Sequence, residues 1–138
     1  MQAQVKWDGK LGFYGVSGSN HAVVMDVTKE NGGGGTAASP MELVLLGLAG
    51  CSGIDVALII EKKRLKVRDF EVFVKAERAN EHPQVFSKVD MTFVFEGENL
   101  TRKGLEDAVR LSLDKYCSVA GMVNKTAEIT WTVEIREQ

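Results

Sequence analysis

The sequence predicts an α+β fold with the element order β-β-β-α-β-β-α-α-β, and three observations carry that prediction. Short, weakly alternating apolar runs separated by Gly9, Gly12, Gly15 and Gly18 fill the first thirty residues. A single segment from Leu43 to Ile60 is apolar on every side. After it come two clearly alternating runs, a helical pattern and a last alternating run. At 138 residues with a net charge of -2, the chain is read as one domain spanning residues 1–138.

The glycine-punctuated opening reads as three short strands at about residues 3–7, 11–14 and 21–27. Gly32 to Gly35 follow, four glycines in a row that cannot hold one backbone conformation unaided, so a flexible loop is expected there. Ser39, Pro40 and Glu42 then mark a helix start, with an N-cap serine, a proline at the first helical position and a glutamate three residues after the serine. Because its apolar residues surround it, the helix is expected to be enclosed all round, and it closes on Glu61, Lys62, Lys63 and Arg64. Gly47, Gly50 and Gly53 recur every third position at a cost of roughly 1 kcal/mol each relative to alanine. Such a strip fits close approach of a second helix, possibly its copy in another subunit; a loosened or kinked helix is the alternative.

Phe70, Val72, Val74 and Ala76 form one face of the next strand, and Val89, Met91, Phe93 and Phe95 one face of its antiparallel neighbour. Thr101 caps a helix running to about residue 116, with Leu105, Ala108, Val109, Ser112 and Tyr116 on one side. A short helical stretch over 119–125 leads to a last strand, its Ile129, Trp131, Val133 and Ile135 opposite Glu128, Thr130, Thr132 and Glu134. A long helix that is apolar all round is more than this chain can cover alone, so an obligate homodimer is expected.

Composition excludes several function classes. Both charge signs are scattered, so there is no basic face for nucleic acid. The 40–60 stretch contains Glu42, Asp55 and three glycines and reads as a core helix, so no membrane insertion is expected. The opening residues lack an export pattern, which sets cytoplasm as the expected location. No CxxC occurs, and His21 and His82 stand in unrelated segments, so a four-ligand zinc site would need carboxylates or a second chain and no metal is expected.

Two cysteines remain, Cys51 and Cys117, 66 positions apart. In a reducing compartment they read as a redox pair or as buried small residues, not as a permanent bridge. Cys51 lies eleven residues after Pro40, about 16 Å along the helix, too far for the helix N-terminus to activate it. Asp55 shares its face four residues on, either anchoring a group beside the sulfur or making a structural hydrogen bond. Glu42, nine residues earlier, falls on the opposite side of a straight helix, and its capping role is enough to explain it. Cys117 follows Lys115 at a helix end, a position from which a thiol can travel.

Ser39-Pro40-Met41-Glu42-Leu43, Gly50-Cys51-Ser52 and Tyr116-Cys117-Ser118-Val119 resemble the OsmC/Ohr family of osmotically induced and organic hydroperoxide resistance proteins. The stretch Cys51-Ser52-Gly53-Ile54-Asp55-Val56 is most similar to its YhfA-like subgroup. The resemblance spans essentially the whole chain. It implies an OsmC-like intertwined homodimer with central long helices, antiparallel sheets outside and active sites where subunits meet. It further implies thiol-dependent reduction of organic hydroperoxides without metal or flavin, with Cys51 peroxidatic and Cys117 resolving. The reductant would be a dithiol such as a lipoylated protein. The peroxidase branches carry a carboxylate directly after the proline, where this chain has Met41, with Glu42 one position later. They also carry an arginine in the N-terminal strands, whereas this chain has none before Arg64. The alternative is a small-molecule-binding or regulatory dimer on the same fold, with the cysteines as contacts or bystanders.

Overall fold

In the computed structural model, which describes residues 1–137, the predicted element order is present and the chain divides into two compact units, Met1–Leu46 and the remainder from Gly47. The first unit is a three-stranded antiparallel meander of β1 (Ala3–Trp7), β2 (Phe13–Ser17) and β3 (Ala22–Met25). β2 begins two residues later than the alternation predicts. The Asp8 amide donates to the Gly12 carbonyl at 3.0 Å, which closes the hairpin with Leu11 and Gly12 still inside the turn. A side chain at Gly12 would collide with the Asp8 carboxylate. This sheet buries little: Val5, Trp7, Phe13, Tyr14, Val16, Val23 and Val24 are all exposed.

β3 stops short of Asp26 because that carboxylate, almost fully buried, organises the glycine loop. It accepts hydrogen bonds from the amides of Val27 (2.7 Å), Gly34 (3.2 Å) and Thr36 (3.2 Å) and from the Thr36 hydroxyl (2.7 Å). The expected flexible loop is therefore a built turn. Gly32 and Gly35 supply its left-handed positions, at φ 90° and 63°, and a Cβ at Gly33 would strike the Val27 carbonyl. The Thr36 hydroxyl above all, then the surrounding amides, holds the Asp26 carboxyl below its usual range. A depressed carboxyl stabilises the fold above its unfolded value of about 3.9 and loses that contribution as pH falls through the folded value. Asp26→Ala is accordingly expected to melt at lower temperature than the unsubstituted chain at pH 7, with the gap narrowing as pH falls below the unfolded value of about 3.9 in a pH series of thermal melts.

α1 (Pro40–Lys62) starts where the capping residues predict: the Ser39 amide donates to Glu42 Oε1 at 2.9 Å and the Glu42 amide to Ser39 Oγ at 3.2 Å. The helix is long and apolar enough to cross a membrane by length and composition, with a mean hydropathy of 2.3 in an 18-residue window. It is not enclosed all round. Leu48, Ser52, Val56 and Ile60, each one turn from the next, are buried, whereas Leu46, Ile54 and Leu58 are 62%, 66% and 58% exposed. Gly47, Gly50 and Gly53 have nothing within 4 Å of where a Cβ would stand. The expectation of enclosure fails for the single chain: among the described residues, the large side chains of this arc stay exposed.

The second unit carries the core. β4 (Val67–Arg78) pairs antiparallel with β5 (Phe86–Gly97), as the alternation predicts, with Val74 opposite Met91 and Val72 opposite Phe93. The sheets are not antiparallel throughout: β6 (Glu128–Glu137) runs parallel to β5. The helices between these two strands bring the chain back to the same sheet end, which is what a parallel pair requires. β5 is the central strand, its Met91, Phe93 and Phe95 fully buried, and the Phe95 ring stacks on Phe70 at 5.3 Å. α2 (Arg102–Leu111), whose cap Thr101 accepts the Gly104 amide at 3.2 Å, buries Leu105, Ala108 and Val109. Residues Ser112–Tyr116 then wind as a π-turn before α3 (Ser118–Val123). The wider winding rotates Tyr116 off the buried side of α2, where the 3.6-residue period had put it, and leaves it exposed.

Candidate functional site

The second unit brings together Cys51 and Asp55 from α1 with Ser112 and Cys117 from the π-turn. Cys51, half-buried, precedes the fully buried Ser52, and Asp55 follows one turn later. Ser52 Oγ and Ser112 Oγ lie 3.0 Å apart, and Ser112 Oγ donates to Asp55 Oδ2 at 2.9 Å. Ser112 also passes 3.4 Å from the Ser52 carbonyl. Asp55 therefore has the structural hydrogen bond that was one of its two readings, and the bond fastens α1 to the π-turn. Ser52 and Ser112 had not been singled out as site residues. The available signal was a hydroxyl on each of two otherwise apolar helix faces, since a buried hydroxyl needs a partner.

Cys117 sits at the end of that turn. Its amide donates to the Ser112 carbonyl at 2.7 Å, and its own sulfur accepts the Ala120 amide at 3.4 Å, capping α3. It is only 5% exposed, so it is a packed cap, not the loosely held thiol expected from its place at a helix end. Lys115 does not serve it: its ammonium lies over the Tyr116 ring at 5.1 Å. Burial pushes the Cys117 thiol from an ordinary 9.0 up to about 11, and the Ala120 amide works in the opposite direction. Interaction with the neighbouring Cys51 side chain adds to the rise, followed by the electrostatic influence of Cys51 and Asp55. The two cysteines are thus within reach of each other, and both are free.

Because the folded value exceeds the unfolded one, stability is complete below about pH 9 and declines as pH rises toward 11. Iodoacetamide labelling followed by peptide mass spectrometry should show the more exposed Cys51 modified first at pH 8. The rate at Cys117 should keep climbing to about pH 11; a plateau near pH 9 would contradict the assignment.

The Glu42 carboxylate, in the first unit, is committed to the Ser39 amide, and that bond, with the Ser39 hydroxyl, lowers its pKa. Among the described residues, no group of three or more histidine, cysteine or acidic side chains is arranged to hold a metal. One turn beyond Cys51 a cavity of about 860 Å³ opens at Asp55, walled by Leu58, Ile59, Leu111 and Tyr116 with Arg64 at its rim; neither cysteine lines it.

Residues 32–132 match the family described as OsmC-like protein. The chain belongs to the OsmC-like family. It is 43% identical over 135 residues to Protein YhfA of Escherichia coli, covering 98% of each chain. A solved structure of a hypothetical protein from Aquifex aeolicus is 29% identical with a TM-score of 0.86, over 99% of this chain and 96% of that one. The fold also extends to an organic hydroperoxide resistance protein, OsmC, of Legionella pneumophila, at 14% identity and a TM-score of 0.73 over 96% and 95% of the two chains. The α+β architecture is thus that of an OsmC-like protein. Within it, the position after the helix-starting proline is Met41 and the first unit contains no arginine.

Proposed function

We propose that this OsmC-like protein is a thiol-dependent reductase of organic hydroperoxides, working as a single functional domain in a cytoplasmic homodimer. The observation that carries the reading is the mutual reach of two free thiols 66 positions apart, one half-buried and one buried and held protonated. The hydroperoxide resistance name borne by the Legionella protein supports the substrate class.

Cys51 is the attacking residue. Its thiolate takes the distal peroxide oxygen, the O–O bond breaks, and the alkoxide leaves and gains a proton as the alcohol. The Cys117 sulfur then displaces hydroxide from the Cys51 sulfenic acid. The hydroxide departs with the thiol proton as water, and both sulfurs enter a disulfide. A dithiol such as a lipoylated protein reduces that disulfide and is itself oxidised. Asp55 supports the pair through Ser112, and Glu42 supports it only by starting the helix on which Cys51 stands.

The homodimer reading rests on the exposed arc of α1 and on the apolar side chains exposed on β1, β2 and β3. In the test, reduced protein receives one equivalent of cumene hydroperoxide, and mass spectrometry is expected to find a mass lower by two hydrogens and linked Cys51 and Cys117 peptides. Unchanged thiols beside unconsumed peroxide would refute the reading. The cavity that neither cysteine lines favours one other reading, a small-molecule-binding or regulatory dimer. Tight binding of an apolar ligand that persists unaltered in Cys51→Ser, together with no peroxide consumption, would establish that alternative.

A further inference from the structure

We propose that Ser112 is the positioning residue that sets the separation of Cys51 and Cys117, its side chain tied to α1 beside one cysteine and its backbone to the other. The proposal rests on the redox-pair reading above and adds to it the part that makes the pair a pair. On one side, the Ser112 hydroxyl meets Ser52, the residue after Cys51, at 3.0 Å and Asp55, one turn past Cys51, at 2.9 Å. On the other, the Ser112 carbonyl accepts the Cys117 amide at 2.7 Å. One residue thereby spans from the segment holding the first thiol to the amide of the second.

The local winding explains why position 112 can do this. An α-turn would pair the Ser112 carbonyl with the amide of residue 116; here the partner is the amide of 117, the bond of a π-turn. That extra residue carries Cys117 out of the helix into an extended conformation (φ -71°, ψ 104°), from which its sulfur caps α3. Both serines are fully buried, and every buried side-chain polar atom among the described residues has a partner. The two serines are therefore satisfied and shielded from water, with half-buried Asp55 at the cavity side, and a buried hydrogen bond of this kind holds its geometry firmly.

The chemistry needs that firmness. When the Cys117 sulfur attacks the Cys51 sulfenic acid, the S–O bond breaks, water leaves and the S–S bond forms, all within a narrow geometry. Holding the two sulfurs in place replaces a random encounter by an intramolecular one. Ser112→Ala keeps the backbone bond to Cys117 and removes only the tie to α1.

The test measures the effective concentration of the cysteine pair by equilibrating the full-length protein with reduced and oxidised glutathione, a reaction in which the pair passes two electrons to the glutathione disulfide and no peroxide takes part. Ser112→Ala is expected to lower the effective concentration roughly tenfold, as loss of a buried hydrogen bond to a charged partner would. Ser112→Thr, which keeps the hydroxyl, should recover most of it. In parallel, with cumene hydroperoxide, Ser112→Ala should slow disulfide formation while the rate of sulfenic acid formation, trapped with dimedone, stays within about twofold of the unsubstituted chain.

Ser52→Ala, which leaves the Ser112 to Asp55 bond in place, provides a second and milder variant should Ser112→Ala fail to fold; it is expected to lower the effective concentration by about threefold. An effective concentration in folded Ser112→Ala, or in Ser52→Ala if only that variant folds, equal to that of the unsubstituted chain would overturn the proposal. So would an unsubstituted chain that forms no disulfide with glutathione. A chain that forms the disulfide with glutathione but not with peroxide would instead refute the peroxidase reading and leave the role of Ser112 standing.

Discussion

Cys51→Ser is expected to lower the steady rate of cumene hydroperoxide consumption by at least about a hundredfold, because a serine hydroxyl cannot be oxidised to a sulfenic acid and reduced again. Cys117→Ser should behave differently. Its first equivalent of peroxide should be consumed, Cys51 should accumulate as the sulfenic acid, and turnover with a dithiol reductant should fall because no intramolecular disulfide can form. The asymmetry follows from the environments of the two thiols. Cys117 is buried and held protonated with a pKa of about 11, which suits a thiol that waits, whereas Cys51 is half-buried on α1. Coupled measurement of peroxide loss and dimedone adducts reads both steps. A Cys51→Ser variant that turns over like the unsubstituted chain would remove Cys51 from the reaction.

Ile54→Glu is expected to convert the proposed homodimer to a monomer at micromolar concentration in sedimentation velocity. At about 100° per residue, Leu46, Gly50, Ile54, Gly47 and Leu58 fall on one arc of α1, and its large side chains are exposed in the single chain. Fully burying each of those large side chains is worth roughly 1.5–3 kcal/mol, and a carboxylate placed among them without a partner carries a desolvation penalty of several kcal/mol. Gly47 and Gly50 lie within the same arc with open space around them, as surfaces prepared for close backbone approach by another helix would. Cys51 borders this arc on the same helix, so loss of the proposed dimer should also reduce the proposed peroxidase activity. An unsubstituted chain that sediments as a monomer, or an Ile54→Glu chain with unaltered mass, would show that this arc is not the interface.

Much of the fold was legible because its signals are local. The reciprocal bonds of Ser39 and Glu42 and the cap at Thr101 are encoded within three residues of each helix start, and both are present. The alternation of β4, β5 and β6 is a period that any half-buried strand must show, and Val89, Met91, Phe93 and Val133 are buried as it requires. The errors came from interactions between segments. The glycine loop looked flexible because its order comes from Asp26, six residues before Gly32. Tyr116 was misplaced because a π-turn interrupts the 3.6-residue period, and the parallel pairing of β6 depends on the path of the helices before it.

The sequence by itself determined the α+β element order, the start of the long apolar helix and the candidate cysteines, because composition, capping and periodicity act over a few residues at a time. Only the tertiary structure decided that Cys51 and Cys117 lie within reach of each other, that Cys117 is buried with a raised pKa, and that Ser52, Ser112 and Asp55 share hydrogen bonds. Residues 60 positions apart in the chain share a hydrogen bond only after helices and strands have packed, and no local pattern records which hydroxyl will face which.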